Sequence, residues 1–131
     1  MHNLVRSTSL AMLISLGAAG AFAQAQPASP PGGYEPSVGQ EGKDVVWVPT
    51  PQALVDKMLA MAKVTPSDYL IDLGSGDGRT VITAAKRGVR TMGIEYNPDL
   101  VELSKRNAQK EGVGDKVNFV KADLFESDFS P

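Results

Sequence analysis

The sequence predicts an α/β domain with a parallel sheet and flanking helices, and three observations favour this class. Short apolar segments typical of strands alternate with amphipathic segments typical of helices. A glycine-rich turn joins the first strand to the helix after it, and acidic residues follow the second and third strands. Because a strand, a crossover helix and the next strand form a right-handed unit, this alternation indicates parallel strands.

Three short apolar segments are predicted as strands, at residues 69–73, 91–95 and 117–120. The first, YLIDL, is almost continuously apolar, which is typical of a strand covered on both faces. Parallel strands end at the same edge of a sheet, and ligands of open α/β sheets bind at that edge. Residues that follow the three strands are therefore expected to lie close together.

The predicted helices carry recognisable start and stop signals. Thr50 stands before a proline, a pair typical of an N-cap and a first helical position, so a helix is expected to begin here. Its apolar face is expected to pack on the sheet. The second helix runs over about 79–87 and ends at Gly88, a residue suited to a helix C-terminus. Asn97, again before a proline, starts the third helix.

Composition excludes several kinds of chemistry. The chain has 131 residues, no cysteine and one histidine, which is His2. If the start of the chain is removed, zinc sites built on Cys or His, disulfides and nucleophile systems that use His are excluded. Chemistry must then rely on carboxylates, hydroxyls, lysine, backbone groups or a borrowed cofactor. A net charge of -2 argues against nucleic acid as the main partner.

Residues 1–23 resemble a cleaved signal peptide. Arg6 gives a short positive region, residues 10–21 are mostly apolar, and 21–23 fit the small-x-small cleavage pattern. A membrane anchor is the alternative, but the apolar run is shorter than the roughly 20 residues that span a bilayer. The mature protein is expected to be exported to the periplasm or secreted, with no membrane attachment. It would be cytoplasmic if the start codon is misassigned.

Residues 24–44 are predicted to be a disordered linker, and residues 45–131 to contain the folded part. The linker is rich in Pro, Gly, Ser and Gln and poor in branched apolar residues. Such a segment cannot bury enough apolar surface to offset its ordering entropy.

Glycines and carboxylates are concentrated at the predicted strand ends. Glycines at a turn allow unusual backbone angles and let a ligand approach the main chain. A carboxylate at the second strand tip can accept both hydroxyl protons of a ribose, and one after the third strand can accept from an exocyclic amino group such as that of adenine. The residues are Asp72, Gly74, Gly76 and Gly78 at the first strand, Glu95 at the second and Asp123 after the third.

The turn differs from the common phosphate-binding motifs. It reads GxGxG rather than the GxGxxG of dinucleotide-binding proteins, and no GKS or GKT follows it. Asp72, two residues before the first glycine, would repel a pyrophosphate and suits a ligand with a positive charge near the turn. Asp72 and Asp77 also do not fit the spacing of a calcium loop. No metal site is predicted.

The segment DLGSGDGR, with Glu95 and Asp123 after the next two strands, resembles the cofactor-binding half of class I S-adenosylmethionine-dependent methyltransferases. The stretch VPTPQALVDKML is similar to small bacterial members of that superfamily related to mitochondrial protein-lysine methyltransferases. The resemblance covers residues 47–129. It implies a Rossmann-like fold, with only the first three strands of the seven-strand methyltransferase domain present.

The resemblance also implies roles for individual residues. Asp72 and the three glycines of the turn would hold the methionine moiety of S-adenosyl-L-methionine, and Glu95 would bind the ribose hydroxyls. Tyr96 would lie beside the adenine, whose edge Asp123 and Leu124 would bind. Thr50 would help to close the site. No catalytic residue is identified.

The implied activity is methyl transfer, with a protein lysine as the acceptor. The cofactor would carry the reactivity, while the protein aligns an unprotonated nucleophile for in-line displacement. Two other classes stay open: a non-catalytic nucleotide-binding or interaction module, and a nicotinamide-dependent oxidoreductase half-domain.

The resemblance stops soon after the third strand, and this leads to a further expectation. In the superfamily the fourth strand pairs with the first, so without it the edge of YLIDL would be exposed. An exposed apolar edge favours self-association. The chain is therefore expected to be part of a longer protein or to need another chain, and to be incomplete as an enzyme.

Overall fold

The computed structural model describes residues 33–129, which contain three strands, three α-helices and one short 3₁₀-helix. In chain order these are α1 Gln52–Met61, β1 Tyr69–Leu73, α2 Arg79–Lys86, β2 Arg90–Glu95, α3 Pro98–Lys110, the 3₁₀-helix Gly114–Lys116 and β3 Val117–Lys121. Within this part of the chain, no helix is long and apolar enough to cross a membrane.

The three strands form one parallel sheet in the order β1-β2-β3. Leu73 of β1 is in register with Ile94 of β2, and Glu95 is in register with Lys121 of β3. The three C-terminal strand ends therefore lie at one edge of the sheet. This confirms the predicted α/β class and the Rossmann-like arrangement.

Helices α2 and α3 pack together with β3 through one apolar cluster. It contains Val81, Ile82 and Ala85 of α2, Val101 and Ala108 of α3, and Val113 and Phe119. Both crossovers join neighbouring parallel strands, and their right-handedness places both helices on the same face of the sheet. This packing fixes the strand ends and the two helix N-termini relative to each other.

The start and packing of α1 differ from expectation. Pro51 occupies the N-cap, and no side chain, Thr50 included, caps the helix. Proline needs no donor there, so the helix begins one residue later than predicted. Val55 and Leu59 contact Ala84 of α2 and Val89, with Leu70 of β1 beside them. The helix thus packs mainly on α2, which already covers the sheet.

Other local predictions have mixed outcomes. Asn97 caps α3 as expected, because its side chain accepts a hydrogen bond from the Asp99 N–H at 2.9 Å. Gly88 follows α2 with a φ of +83°. β1 is less covered than its apolar sequence indicated: Tyr69 is 41% exposed and Leu73 48%. In the described sheet β1 has a neighbour on one side only, which leaves its side chains partly open.

Residues 33–44 form neither helix nor strand, but they contact the folded body. The Arg106 side chain donates to the carbonyl of Tyr34 at 3.1 Å. Gly39 N donates to Trp47 O and Trp47 N to Gln40 O, both at 2.9 Å, so the chain between them forms a loop closed at its base. The predicted signal peptide and the first part of the predicted linker lie outside the described residues.

Candidate functional site

A cavity of about 400 Å³ lies at the C-terminal ends of the three strands. Its floor is the turn after β1, and its walls include the residues that follow β2 and β3. Residues 40–50 form the remaining side. The volume lies within the range of small-molecule sites, roughly 300–1,000 Å³.

Backbone hydrogen bonds fix the turn after β1. Gly74 N and Ser75 N both donate to the carbonyl of Ile94 on β2, at 2.8 and 2.9 Å. Gly74, Gly76 and Gly78 have φ values of +79°, +56° and +82°, which L-residues with side chains rarely adopt. The glycines therefore allow a sharp reversal that leads directly into α2.

The Glu95 carboxylate joins this turn to the beginning of α3. Oε2 accepts from Gly76 N and Oε1 accepts from Asn97 N, both at 2.9 Å. Each carboxylate oxygen can accept more than one hydrogen bond, so both can still receive hydroxyl protons from a ligand. Because its position is fixed from two sides, Glu95 needs little rearrangement to bind a diol.

Asp72 is a partly buried carboxyl at the end of β1. Burial raises the pKa of Asp72, and the negative charges of Glu95 and Asp77 raise it further. A hydrogen bond from the Thr80 side chain opposes this shift. An acid that is costly to ionise inside the protein favours a cationic ligand beside it.

Asp77 and Arg79 hold the turn against the segment before α1. Arg79 Nε lies 3.0 Å from Asp77 Oδ1, and its Nη2 lies 2.5 Å from Oδ2. This pairing raises the pKa of Arg79. Arg79 Nη1 also donates to the Thr50 carbonyl at 2.7 Å. Thr50 thus lies at the cavity wall through its backbone, in the position expected for a residue that closes the site.

Asp123 stands after β3, at the opposite end of the cavity from Asp72. Its Oδ1 accepts from Phe125 N at 3.0 Å, and its Oδ2 contacts the Lys43 ammonium. The hydrogen bond from Lys43 and that from Phe125 lower the pKa of Asp123. Lys43 Nζ also lies 5.1 Å from the centre of the Tyr96 ring.

The structure brings together most of the predicted site residues. Those that line the cavity are Asp72, Gly74, Gly76, Glu95, Tyr96, Asp123 and Leu124. Gly78 does not: a Cβ there would meet Phe119 Cζ at 2.7 Å and Ser104 Cβ at 2.9 Å. Gly78 therefore serves the approach of α2 to the core rather than the cavity surface.

Sequence reasoning missed three residues of this cavity. They are Lys43, Trp47 and Thr80. The Trp47 indole lies against the turn, where a Cβ on Gly76 would meet Nε1 at 2.8 Å. Thr80 was in principle recognisable, because it lies in the first turn of the helix that faces Asp72. Lys43 and Trp47 carried no local signal, since their segment has no periodicity.

The donor set determines the kind of ligand that fits. Carboxylates lie at each strand end, and open space lies over Gly74, where a Cβ would meet no atom within 4 Å. This suits a neutral or cationic nucleoside rather than a polyphosphate. Among residues 33–129, no group of three or more His, Cys, Asp or Glu side chains is arranged to hold a metal ion.

A parallel sheet with an acidic glycine turn after β1 and carboxylates after β2 and β3 defines the cofactor half of a class I S-adenosylmethionine-dependent methyltransferase fold. The chain belongs to this superfamily. Residues 72–131 match the family described as the ANTKMT methyltransferase domain.

Curated relatives include two lysine methyltransferases. A protein-lysine N-methyltransferase of Saccharolobus islandicus is 42% identical over 88 residues, which cover 66% of this chain and 55% of that protein. A human lysine N-methyltransferase, whose name specifies ATP synthase, is 39% identical over 84 residues, covering 64% of this chain and 36% of the human protein. The chain thus spans about half or less of the length of these relatives.

Solved structures give the same class. An RNA methyltransferase from Salinibacter ruber, in complex with S-adenosyl-L-homocysteine, superposes with a TM-score of 0.62 at 55% identity. The match covers 63% of this chain and 55% of that structure. A methyltransferase from Geobacter sulfurreducens, also in complex with S-adenosyl-L-homocysteine, has a TM-score of 0.52 at 31% identity over 56% of this chain and 30% of the other.

Proposed function

We propose that this chain supplies the S-adenosyl-L-methionine site of a protein-lysine methyltransferase. The observation that carries the proposal is the placement of Glu95, whose two oxygens face the cavity while backbone N–H groups from the turn and from α3 hold them. Such a carboxylate at the tip of β2 is a preorganised acceptor for the two ribose hydroxyls of an adenosyl group.

The residues around Glu95 fit the other parts of this cofactor. Asp72 lies at the end where the cofactor's positive charges would lie, and the open space over Gly74 lets the ligand approach the main chain. Asp123 can accept from the adenine amino group beside Tyr96. When bound, the cofactor supplies an electrophilic methyl group on a sulfonium. The chain's own part is to bind, orient and partly enclose it.

A lysine acceptor is supported by the relatives. Two of the enzymes that the chain resembles are lysine methyltransferases, although one structural relative is described as an RNA methyltransferase. The net charge of -2 favours protein over RNA, because a phosphate backbone would need basic residues in excess. The acceptor lysine must lose its proton before attack, and no described residue is assigned as its base.

Calorimetry separates this proposal from the other two classes. Titration of the protein with S-adenosyl-L-homocysteine and, separately, with NAD should give heat only with the first ligand. Binding of NAD alone would favour an oxidoreductase half-domain and contradict the proposal.

Transfer of a labelled methyl group tests the acceptor. The chain is incubated with labelled S-adenosyl-L-methionine and either a protein extract or total RNA. Label on protein lysine is the expected result. Label confined to RNA would contradict the acceptor, and cofactor binding without any transfer would indicate a non-catalytic binding module.

Export and self-association are further parts of this proposal. The apolar run before residue 24 supports export, and N-terminal sequencing of the native protein should begin at Gln24 if residues 1–23 are removed. The partly exposed β1 edge supports self-association. Sedimentation should show species larger than a monomer, and a monomer at all concentrations would contradict it.

A further inference from the structure

The loop closed by the hydrogen bonds between residues 39–40 and Trp47 extends over the adenine end of the candidate site. At its tip, Lys43 places its ammonium on Asp123 Oδ2. Oδ1 of the same carboxylate already accepts from Phe125 N at 3.0 Å, so Oδ2 is the oxygen that remains for a ligand. Lys43 therefore occupies the atom that an adenine amino group would use.

Lys43 occupies a second adenine contact as well. Its ammonium lies 5.1 Å from the centre of the Tyr96 ring, in the range of a cation–π interaction. Tyr96 is 48% exposed, so its ring is available to a base that stacks on it. One flexible side chain thus covers both groups that are expected to bind adenine.

We propose that Lys43 is a gating residue of the cofactor site, whose ammonium must leave Asp123 and Tyr96 before the adenine amino group of the cofactor binds there. This inference rests on the proposed function. Lys43 is a long, exposed side chain, and Asp44 lies 3.9 Å from it as an alternative partner. It can therefore move without unfolding the loop, which Trp47 holds by its hydrogen bonds and its contact with Gly76.

The test is calorimetric titration of the full chain and three variants with S-adenosyl-L-homocysteine and with adenosine. Lys43→Met removes the competing charge and should bind both ligands about two- to fivefold more tightly, which is the range expected for loss of one exposed ion pair. Lys43→Arg keeps the charge and should bind like the wild type. Lys105→Met is the matched control, because Lys105 pairs with Glu102 and lies outside the cavity lining.

Salt gives an independent readout. Salt screens the ion pair between Lys43 and Asp123, so the affinity of the wild type for the uncharged ligand adenosine should rise with salt, while that of Lys43→Met should not. Equal or weaker binding by Lys43→Met, or a gain for S-adenosyl-L-homocysteine but not for adenosine, would overturn the gating role. Failure of every variant to bind either ligand would instead overturn the proposed function itself, and the gating role with it. Trp47, the single tryptophan of the chain, lines the cavity and gives a fluorescence signal for the same titrations.

Discussion

Glu95 Oε2 accepts a hydrogen bond from Gly76 N at 2.9 Å across 19 residues of sequence. The other carboxylate oxygen accepts from Asn97 N at the same distance. One side chain therefore links the glycine turn, the tip of β2 and the beginning of α3. The same atoms are those proposed to receive the ribose hydroxyls, so stability and binding depend on one carboxylate.

Replacement of Glu95 by Gln should lower both properties. The amide has one oxygen, so one of the two backbone N–H groups would lose its acceptor, at a cost of about 1–3 kcal/mol. Urea unfolding measures this loss, and calorimetry with S-adenosyl-L-homocysteine should show weaker binding. Unchanged affinity would mean that Glu95 does not contact the ribose.

Asp72 should show a trade-off between stability and binding. Its pKa is raised in the folded state, so the folded protein binds this proton more tightly than the unfolded chain does. Stability should therefore fall as pH rises from the unfolded pKa through the higher folded pKa. At neutral pH, Asp72→Asn should raise the melting temperature and lower cofactor affinity about tenfold or more, since hydrogen bonds to charged groups contribute roughly 1.5–3 kcal/mol.

Asp68→Asn is the control for that experiment. Hydrogen bonds from the backbone and side chain of Thr65 lower the pKa of Asp68. Its contribution to stability is present above the unfolded pKa and is lost as pH falls through the folded one. This variant should lower the melting temperature at neutral pH without an effect on cofactor binding. A decrease for both variants would mean that burial of Asp72 does not dominate its energetics.

Gly78 and Gly74 have similar backbone angles but different surroundings. Alanine at Gly78 would meet Phe119 and Ser104 below 3 Å as well as adopting a φ of +82°. Urea unfolding should show a loss of about 2–5 kcal/mol, the sum of the left-handed backbone and the overpacked core. Alanine at Gly74 should cost only about 1–2 kcal/mol, because open space surrounds it. Gly74→Ala should nevertheless weaken cofactor binding, since its methyl group enters the cavity. Equal losses of stability would contradict the packing described for Gly78.

Two buried hydroxyls should respond in opposite ways to removal. Ser104 Oγ lies 2.8 Å from the Gly76 carbonyl and 2.9 Å from that of Leu100, and its side chain is fully buried. Ser104→Ala should cost about 1–3 kcal/mol, because it removes a donor to the turn. The Thr91 hydroxyl has no hydrogen-bond partner within residues 33–129. Thr91→Val should therefore be neutral or stabilising in thermal unfolding, and a large loss there would reveal a partner.

The parts of the structure that local sequence determines were predictable. Asn97 before a proline gave the start of α3, and the acidic glycine turn gave the junction of β1 with α2. The strand-end carboxylates could be placed together because parallel strands fix which ends meet. Pro51 could serve as the N-cap itself, which the pattern did not distinguish from a cap at Thr50.

Contacts across the chain were not predictable in this way. Lys43 and Asp123 are 80 residues apart, and Lys43 lies in an irregular segment without hydrophobic periodicity. Its composition indicated a linker, yet two hydrogen bonds at its base and the Trp47 indole hold it over the cavity. Gly78 looked like a ligand contact because it belongs to the motif, whereas Phe119 and Ser104 occupy the space beside it.

The most direct measurement is a crystal structure of the protein grown with S-adenosyl-L-homocysteine. The expected result is adenosine in the cavity, with both ribose hydroxyls donating to Glu95 and the adenine amino group donating to Asp123 in place of Lys43. An empty cavity, or a ligand whose ribose lies away from Glu95, would contradict the proposed site.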